Sequence, residues 1–565
     1  MVQYKKYKLR NKDMHIKAIL SSMAIVASAA NAAEVRISAD GSTRFIEDFM
    51  KTDDGAELYT LAIAPAGTGT YPVVVSRTPY ASTKRVDLDK WIASPEQRKF
   101  IERGYSRVSQ HCRGSGASTG GRVPYENERA DGLALLEYTR KLPWYGGEIY
   151  LSGASYSATA HFSYLDTDPP DVKGAWLIVQ DVNRYNIVFR NGFFKIGLQG
   201  SWFIKEYMKN DKSLVRNASE TFAGFPLEGF ARRYWGFDVP ALTCAIRHPR
   251  PNDSFWNSQE PGSGVEYRNA ILKSSMPILL KTALYDIYTE GVCDMWREMP
   301  PERRAQCALL IDAYGHPGRP PEKPESEFMV FPGGARLDEG VEAVDWFDSI
   351  RSGKPCANAP RGKTRYYALW ENAWCETDAI EDGAREVRLA LGEGERTYVY
   401  NPLRPLPEFP GSGGICFGGM QAQPPPGLRD DVLSFILPEV GKRIDVRGRM
   451  EAELAVESDC EDTCFYVRVS VDKGDGTWLL LRDDIKSLAF DSPYVPGERR
   501  TLRFRFADHA FRLDSGDRLR VDVSSACSQF APHPNTAGRA FTETKPRIAK
   551  NKVFAASSAL VLHAR

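Results

Sequence analysis

Charge of one sign is missing from this 565-residue sequence: 74 Lys and Arg stand against 73 Asp and Glu, without a long run of either. That balance removes the electrostatic basis for a nucleic-acid or other polyanion partner. Long apolar runs are absent beyond the N-terminal segment, so no membrane span is expected. The ten cysteines contain no CxxC pair, which argues against structural zinc; neither metal nor organic cofactor is expected. No internal repeat is evident. What is present, 42% hydrophobic and 26% charged residues, describes an ordinary globular chain. Its length exceeds a single core, so two or three domains are expected.

The N-terminus has a distinct pattern. Lys5, Lys6, Lys8, Arg10, Lys12 and Lys17 precede an apolar stretch from Ala18 to Ala30, and Ala30-Asn31-Ala32 follows the small-x-small rule. A basic region, a short apolar core and such a site predict a secretory signal peptide over 1–32, cleaved after Ala32. Export, to a periplasm or the exterior, would permit disulfides. Cys460 with Cys464 and Cys293 with Cys307 are candidates by proximity.

Along the mature chain, apolar runs alternate with helical patterns. Tyr71–Ser76, Tyr105–Ser109, Glu148–Leu151, Ala175–Val179, Ile278–Ala283 and Ala308–Ile311 read as buried strands. Asn127–Leu142 reads as a helix with Ala130, Leu133, Leu136 and Leu142 near one face, and Tyr156–Tyr164 as another. This alternation predicts a parallel sheet. Between 181 and 275, aromatic residues crowd at helical spacings without a clear strand, which predicts a helical cap inserted between sheet strands. Beyond about 351 the pattern turns to apolar–polar alternation with Gly/Asp turns, and an all-β jelly roll is expected. The layout is therefore a catalytic α/β domain over 33–180 and 276–350, a cap over 181–275, and a jelly roll over 351–565.

The candidate chemistry lies at strand ends. Gly153-Ala154-Ser155-Tyr156-Ser157-Ala158 sits between a strand and a helix, where small neighbours allow the sharp turn that lifts a serine hydroxyl above a sheet. A serine nucleophile needs a base, and the base needs an orienting carboxylate. Asp286 ends one apolar strand and His316 the next, in the order Ser, acid, His, and parallel strands bring these ends to one edge. Ser155, Asp286 and His316 are thus the expected triad. Asp312 competes as acid but shares a turn with His316. His111 precedes the serine, His161 lies on the helix after it, and His248, His509, His533 and His563 have no matching strand-end carboxylate.

These segments resemble the cocaine-esterase and X-prolyl dipeptidyl-peptidase group of α/β-hydrolases, the CocE/NonD hydrolases. GASYSA resembles the group's G-x-S-Y-x-G, SRTPYAST its oxyanion segment, and CRGSGASTGG its D-x-R-G-x-x-x-S-x-G loop; ALYDIY and DAYGH resemble its acid and histidine loops. TYVYNPLRPLPEFPGSGG, RDDVLSF and FRLDSGDRLRVDVSSACSQFAPHPNT are similar to its galactose-binding-like jelly roll. The resemblance implies an oxyanion hole made by the Tyr80 hydroxyl and the Tyr156 N–H, and a small ester, amide or short peptide as substrate. His111 stands where the group has Asp, and Ala158 replaces its last glycine. In the group's amino-acid ester hydrolases, acids two and three residues after the catalytic Asp bind the substrate's amino group. Here Tyr288 and Thr289 occupy those positions, which argues against that specificity. Release of X-Pro dipeptides is the alternative activity, although the extra N-terminal domain of the lactococcal-type peptidases is missing. A non-catalytic carbohydrate- or surface-binding protein is the alternative from another class.

Overall fold

The computed structural model describes residues 34–81, 85–180, 182–200, 202–203, 224–257, 267–316, 331–332, 339–404, 419–537 and 541–565. The expected signal peptide, 1–32, lies outside the described residues.

Strands β1 (Arg36–Ile37), β2 (Thr43–Lys51), β3 (Glu57–Pro65), β4 (Tyr71–Thr78), β5 (Ser106–His111), β6 (Tyr145–Ala154) and β7 (Val172–Ile178) come first. A hairpin follows, β8 (Phe189–Arg190) and β9 (Phe193–Phe194), then β10 (Ile278–Tyr285), β11 (Ala308–Gly315), β12 (Thr364–Ala368) and β13 (Ala373–Thr377). All but the hairpin form one sheet in the order β1-β2-β3-β5-β4-β6-β7-β10-β11-β12-β13. From β5 to β12 every neighbouring pair is parallel. Antiparallel pairs finish both edges. Parallel strands are covered on both faces and so read as unbroken apolar runs; β10 and β11 are buried at every residue. This is the α/β-hydrolase core, and one edge gathers the carboxyl ends of β4, β6, β10 and β11.

Helix α1 (Glu128–Arg140) buries a different face from the one its apolar spacing suggests. Ala130 is exposed, whereas Glu128, Asp131, Gly132, Leu135, Leu136 and Thr139 are buried. Two arginines meet the buried carboxylates: Arg77 Nη1 lies 2.7 Å from Glu128, and Arg113 Nη2 2.7 Å from Asp131. Gly132 is required there, since a Cβ would fall 2.3 Å from the Tyr164 ring.

The cap has its own apolar cluster, including Tyr185, Phe189, Phe194, Phe230, Leu242 and Trp256. It also contains a strand pair where none was expected. Asn191 and Gly192 both have positive φ, 47° and 85°, so the β8–β9 turn uses the Asn-Gly chemistry that suits the strand twist.

The catalytic sheet continues beyond the expected boundary at 351, because β12 pairs with β11 and β13 with β12. Two antiparallel sheets follow as a jelly roll. Five strands run Ala422–Gln423, Trp478–Ser487, Cys464–Asp472, Arg518–Ser524, Leu433–Ile436; the other sheet has seven, six of them built round the long Ile444–Ser458. Arg500–Arg505 alternates buried and exposed, as expected for a half-covered sheet. Cys464–Asp472 is covered on both faces instead. Asp472 at its end is well matched: it accepts from Arg518 at 2.6 Å and from the N–H groups of Gly474 and Gly476 at 2.8 and 3.0 Å. The jelly roll docks on the catalytic domain, where the Tyr285 hydroxyl donates to the Leu480 carbonyl at 3.1 Å. The nine described cysteines are all free thiols, Cys293, Cys307, Cys460 and Cys464 among them. No described helix is long and apolar enough to cross a membrane.

Candidate active site

Ser155 joins β6 to helix α2 (Tyr156–Phe162) with φ 55° and ψ −129°. A non-glycine residue in that region costs about 1–3 kcal/mol, and the surroundings must hold it there. Here the Ser155 N–H donates to the Ile178 carbonyl of neighbouring β7 at 2.9 Å, while the Ser155 carbonyl accepts from Ala158 and Thr159. Gly153 must be small, because a Cβ would lie 2.5 Å from the Ser157 carbonyl oxygen. Ala158, in place of the group's glycine, is fully buried.

His316 reaches the elbow from the end of β11. Its Nε2 lies 3.0 Å from Ser155 Oγ, and its Nδ1 lies 3.0 Å from Asp286 Oδ1. The Asp286 side chain is completely buried. Its Oδ1 also accepts from the Tyr288 N–H at 3.2 Å, and Oδ2 accepts from the Thr282 hydroxyl at 3.2 Å. With the carboxylate so held, Nδ1 carries the proton, and Nε2 is left to accept from the serine.

The competing residues are engaged elsewhere. Asp312 faces Lys281, Oδ2 to Nζ 3.4 Å, and its Oδ1 accepts from the Tyr314 N–H at 2.9 Å. Burial raises the Asp312 carboxyl above its ordinary range, with Lys281 opposing. His161 is wholly buried between the Tyr164 hydroxyl at 2.5 Å and the Ser152 carbonyl at 3.2 Å. Burial, then the charge of Arg77, pushes its pKa down to about 3, so it stays neutral. His111 is buried beneath the glycine loop that follows it: its Nδ1 accepts from the Ala117 N–H at 3.3 Å, and its ring lies 4.8 Å from that of Tyr59. A Cβ at Gly116 would fall 2.2 Å from this Nδ1, so the loop's glycine and His111 fit together.

Tyr80 follows β4 and is 42% exposed, with its ring edge-on to that of Tyr156 at 6.5 Å. Tyr156 opens α2, where first-turn N–H groups lack intrahelical acceptors. Its phenol donates to Glu128 Oε1 at 2.9 Å and accepts from the Tyr125 N–H at 2.6 Å. Burial, with the charge of Glu128, holds that phenol well above its usual range. Tyr125, whose φ is 72°, stacks on Tyr156 at 4.5 Å, and Trp202 stacks on the same ring at 6.0 Å. Sequence reasoning missed Tyr125, Glu128 and Trp202. Two carboxylates three residues apart in the first turn, Glu128 and Asp131, were the available signal for Glu128; nothing local marked Tyr125.

The acid pair of amino-acid ester hydrolases has no counterpart at the two matching positions. Tyr288 turns its ring edge to His316 at 5.4 Å, and the Thr289 hydroxyl donates to the Ala283 carbonyl at 2.6 Å. Among the described residues, no three His, Cys, Asp or Glu side chains cluster as metal ligands would.

Residues 54–318 match the family described as X-Pro dipeptidyl-peptidase (S15 family). The chain is 29% identical over 530 residues to a protein named as a serine esterase in Mycobacterium bovis, covering 78% of this chain and 81% of that one. It is 22% identical over 539 residues to cocaine esterase of Rhodococcus sp., covering 86% and 91%. The solved structure of an α-amino acid ester hydrolase matches at TM-score 0.76 and 19% identity, over 96% of this chain and 100% of the other. That last likeness concerns the fold.

Proposed function

We propose that this chain, a serine hydrolase related to cocaine esterase and the X-Pro dipeptidyl-peptidases, cleaves ester or acyl-amide bonds through Ser155, His316 and Asp286. The observation that carries the reading is the unbroken hydrogen-bond series Ser155–His316–Asp286, with both links at 3.0 Å. His316 takes the hydroxyl proton as Ser155 Oγ attacks the carbonyl carbon, and Asp286 stabilises the imidazolium that results. The Tyr80 hydroxyl and the Tyr156 N–H meet the developing oxyanion. Collapse expels the leaving group with the proton from His316 and leaves an acyl-enzyme, which water attacks in the reverse sequence.

Labelling with a fluorophosphonate, followed by peptide mapping, tests this. The expected adduct is on Ser155; an unlabelled protein, as a non-catalytic binding role requires, would overturn it. The family matched by residues 54–318 supports a second reading, release of X-Pro dipeptides. A panel of p-nitrophenyl esters, acyl amides and X-Pro anilides separates the two, since only the peptidase requires a free α-amino group. Export is part of the proposal, supported by the basic and apolar segments before Ala32. N-terminal sequencing of the mature protein checks it, with Ala33 as the expected first residue.

A further inference from the structure

The segment between Gln423 and Leu433 joins opposite edges of the five-stranded jelly-roll sheet, because Ala422–Gln423 and Leu433–Ile436 are its outermost strands. Four strand spacings of about 4.8 Å, about 19 Å in all, separate those edges, so the segment has to cross a face of the sheet. Phe465, Val467, Val469 and Val521 fill the core face. Alternation puts Tyr466, Arg468 and Asp522 on the other face. That is the face crossed, since these three line one cavity with Pro424, Pro425, Leu428 and Arg429. Prolines have no N–H to pair with the strands beneath and hold the crossing extended. The cavity under this arch has about 560 Å³ including its mouth, within the range of about 300–1,000 Å³ usual for small-molecule sites. Ser155, Asp286 and His316 are not among its lining residues.

Two guanidinium groups reach this cavity, each with a nitrogen to spare. Arg468 keeps 12% of its side chain exposed. Its Nη1 donates to Gln423 Oε1 at 3.1 Å, and the group lies 6.0 Å from the centre of the Tyr466 ring. Its Nη2 has no hydrogen-bond acceptor among the described residues, and Asp522 Oδ2 is 3.6 Å away. Asp522 is better matched elsewhere: Oδ1 accepts from the Ser434 hydroxyl at 2.6 Å, and Oδ2 faces Arg520 at 2.9 Å. Arg429 keeps 25% of its side chain exposed and gives Nε and Nη2 to Asp431 at 2.7 and 2.5 Å. Its Nη1 has no acceptor among the described residues. Both side chains retain exposed surface, so a molecule in the cavity can meet them. Asp522 is the one acidic residue in the lining. Asp483, opposite Arg468 on the neighbouring strand, lies outside the lining and accepts from the Tyr466 hydroxyl at 2.6 Å. Pro424, Pro425 and Leu428 supply apolar wall, and Leu428 is 55% exposed.

We infer that this cavity binds a small monocarboxylate with a compact apolar body. The carboxylate accepts charge-assisted hydrogen bonds from Arg468 Nη2 and Arg429 Nη1, whose planar groups suit its geometry. The body packs on Pro424, Pro425 and Leu428. Asp522 in the wall opposes a second negative charge, so a phosphate dianion is the poorer ligand. Nothing in this rests on the role given to Ser155.

Titration calorimetry on the full-length protein at about pH 7.5, where a phosphate monoester is largely a dianion, tests the site. Four ligands serve: 3-phenylpropionate, 3-phenylpropanol without the charge, acetate without the body, and 2-phenylethyl phosphate as the dianion. Saturable binding is expected for 3-phenylpropionate, roughly tenfold or more tighter than for each of the others. Arg468→Met should weaken it by roughly tenfold or more. Should that variant fail to fold, Leu428→Asp sets a carboxylate on the cavity wall at an exposed position and should weaken binding to the same extent. Absence of saturable heat with 3-phenylpropionate overturns the inference. So does equally tight binding of the alcohol, acetate or the phosphate. Undiminished binding in the folded Arg468→Met or Leu428→Asp protein overturns it too, by placing the ligand elsewhere, the candidate active site included.

Discussion

The carboxyl edge of the parallel sheet and the strand network of the jelly roll both bury polar groups, but they match them differently. At the sheet edge, Asp286 and His316 are tied in one line that ends on a single hydroxyl, Ser155 Oγ. In the jelly roll, two buried carboxylates each close on an arginine: Asp472 on Arg518, and Asp522 on Arg520 at 2.9 Å. An open-ended line leaves an imidazole nitrogen facing a hydroxyl, whereas a closed pair only holds strands together. Buried polarity therefore indicates function where one reactive atom is left at the end of the series. The sheet edge itself contains both kinds, since Asp286 belongs to the open line and Asp312, on the neighbouring strand, to a closed pair with Lys281.

Substitutions can break this contrast. The largest effect is expected for Ser155→Ala, which removes the reactive end: kcat should fall by roughly 10⁴-fold or more with the unfolding midpoint unchanged. Steady-state kinetics with p-nitrophenyl esters measures the first and thermal unfolding the second. Asp286→Asn should cost about 10⁴ in kcat, because the imidazole loses control of its tautomer. Asp312→Ala should do the reverse, keeping activity per folded molecule while destabilising by about 3–5 kcal/mol, as the loss of one member of a buried pair does. Urea unfolding of the two variants side by side decides between the carboxylates; a larger kinetic loss at Asp312 would reverse the assignment. Tyr80→Phe should lower kcat by about 10²–10³ with little change in KM if its hydroxyl meets the oxyanion. Wild-type kcat in that variant would place the second donor on the backbone.

The smallest effect sharpens the comparison through pH. His161, in the catalytic domain, has its pKa held at about 3 by burial, and His509, at the jelly-roll contact, is held well below 6.5 for the same reason. Both must stay neutral in the folded protein, while the unfolded chain binds protons below about 6.5. Stability is thus complete above that pH and declines as pH falls towards 3, by about 1.4 kcal/mol per unit for each histidine. Urea unfolding between about pH 7.5 and 5.5 should reveal the slope, and His161→Gln should remove one histidine's share.

Much of this was legible locally. The strands Ile278–Tyr285 and Ala308–Gly315 read as largely apolar runs, interrupted by Lys281, Thr282 and Asp312, because both faces of a parallel sheet are covered. The elbow shows in its small residues, because a strand–turn–helix corner tolerates little else at Gly153. The Asn191-Gly192 pair is a local hairpin signal too, set among aromatic residues at helical spacing. The buried face of α1 was not, because apolar spacing cannot show that Arg77 and Arg113 would draw Glu128 and Asp131 inward.

By itself, the sequence determined the order of the strands, the residue types at their ends and the serine at the sharp turn. These depend on periodicity and local steric room, which act over a few residues. The sequence favoured Asp286 over Asp312, and the tertiary structure supplied the geometry that separates them. Asp286 follows β10 directly and Asp312 lies within β11; the register of the two strands, with Ala283 beside Asp312, puts Lys281 near one and leaves the imidazole to the other. The tertiary structure also decided that Tyr125 caps the Tyr156 phenol, 31 residues away in the chain. Pairings of this kind arise from packing between distant segments, so no local pattern encodes them.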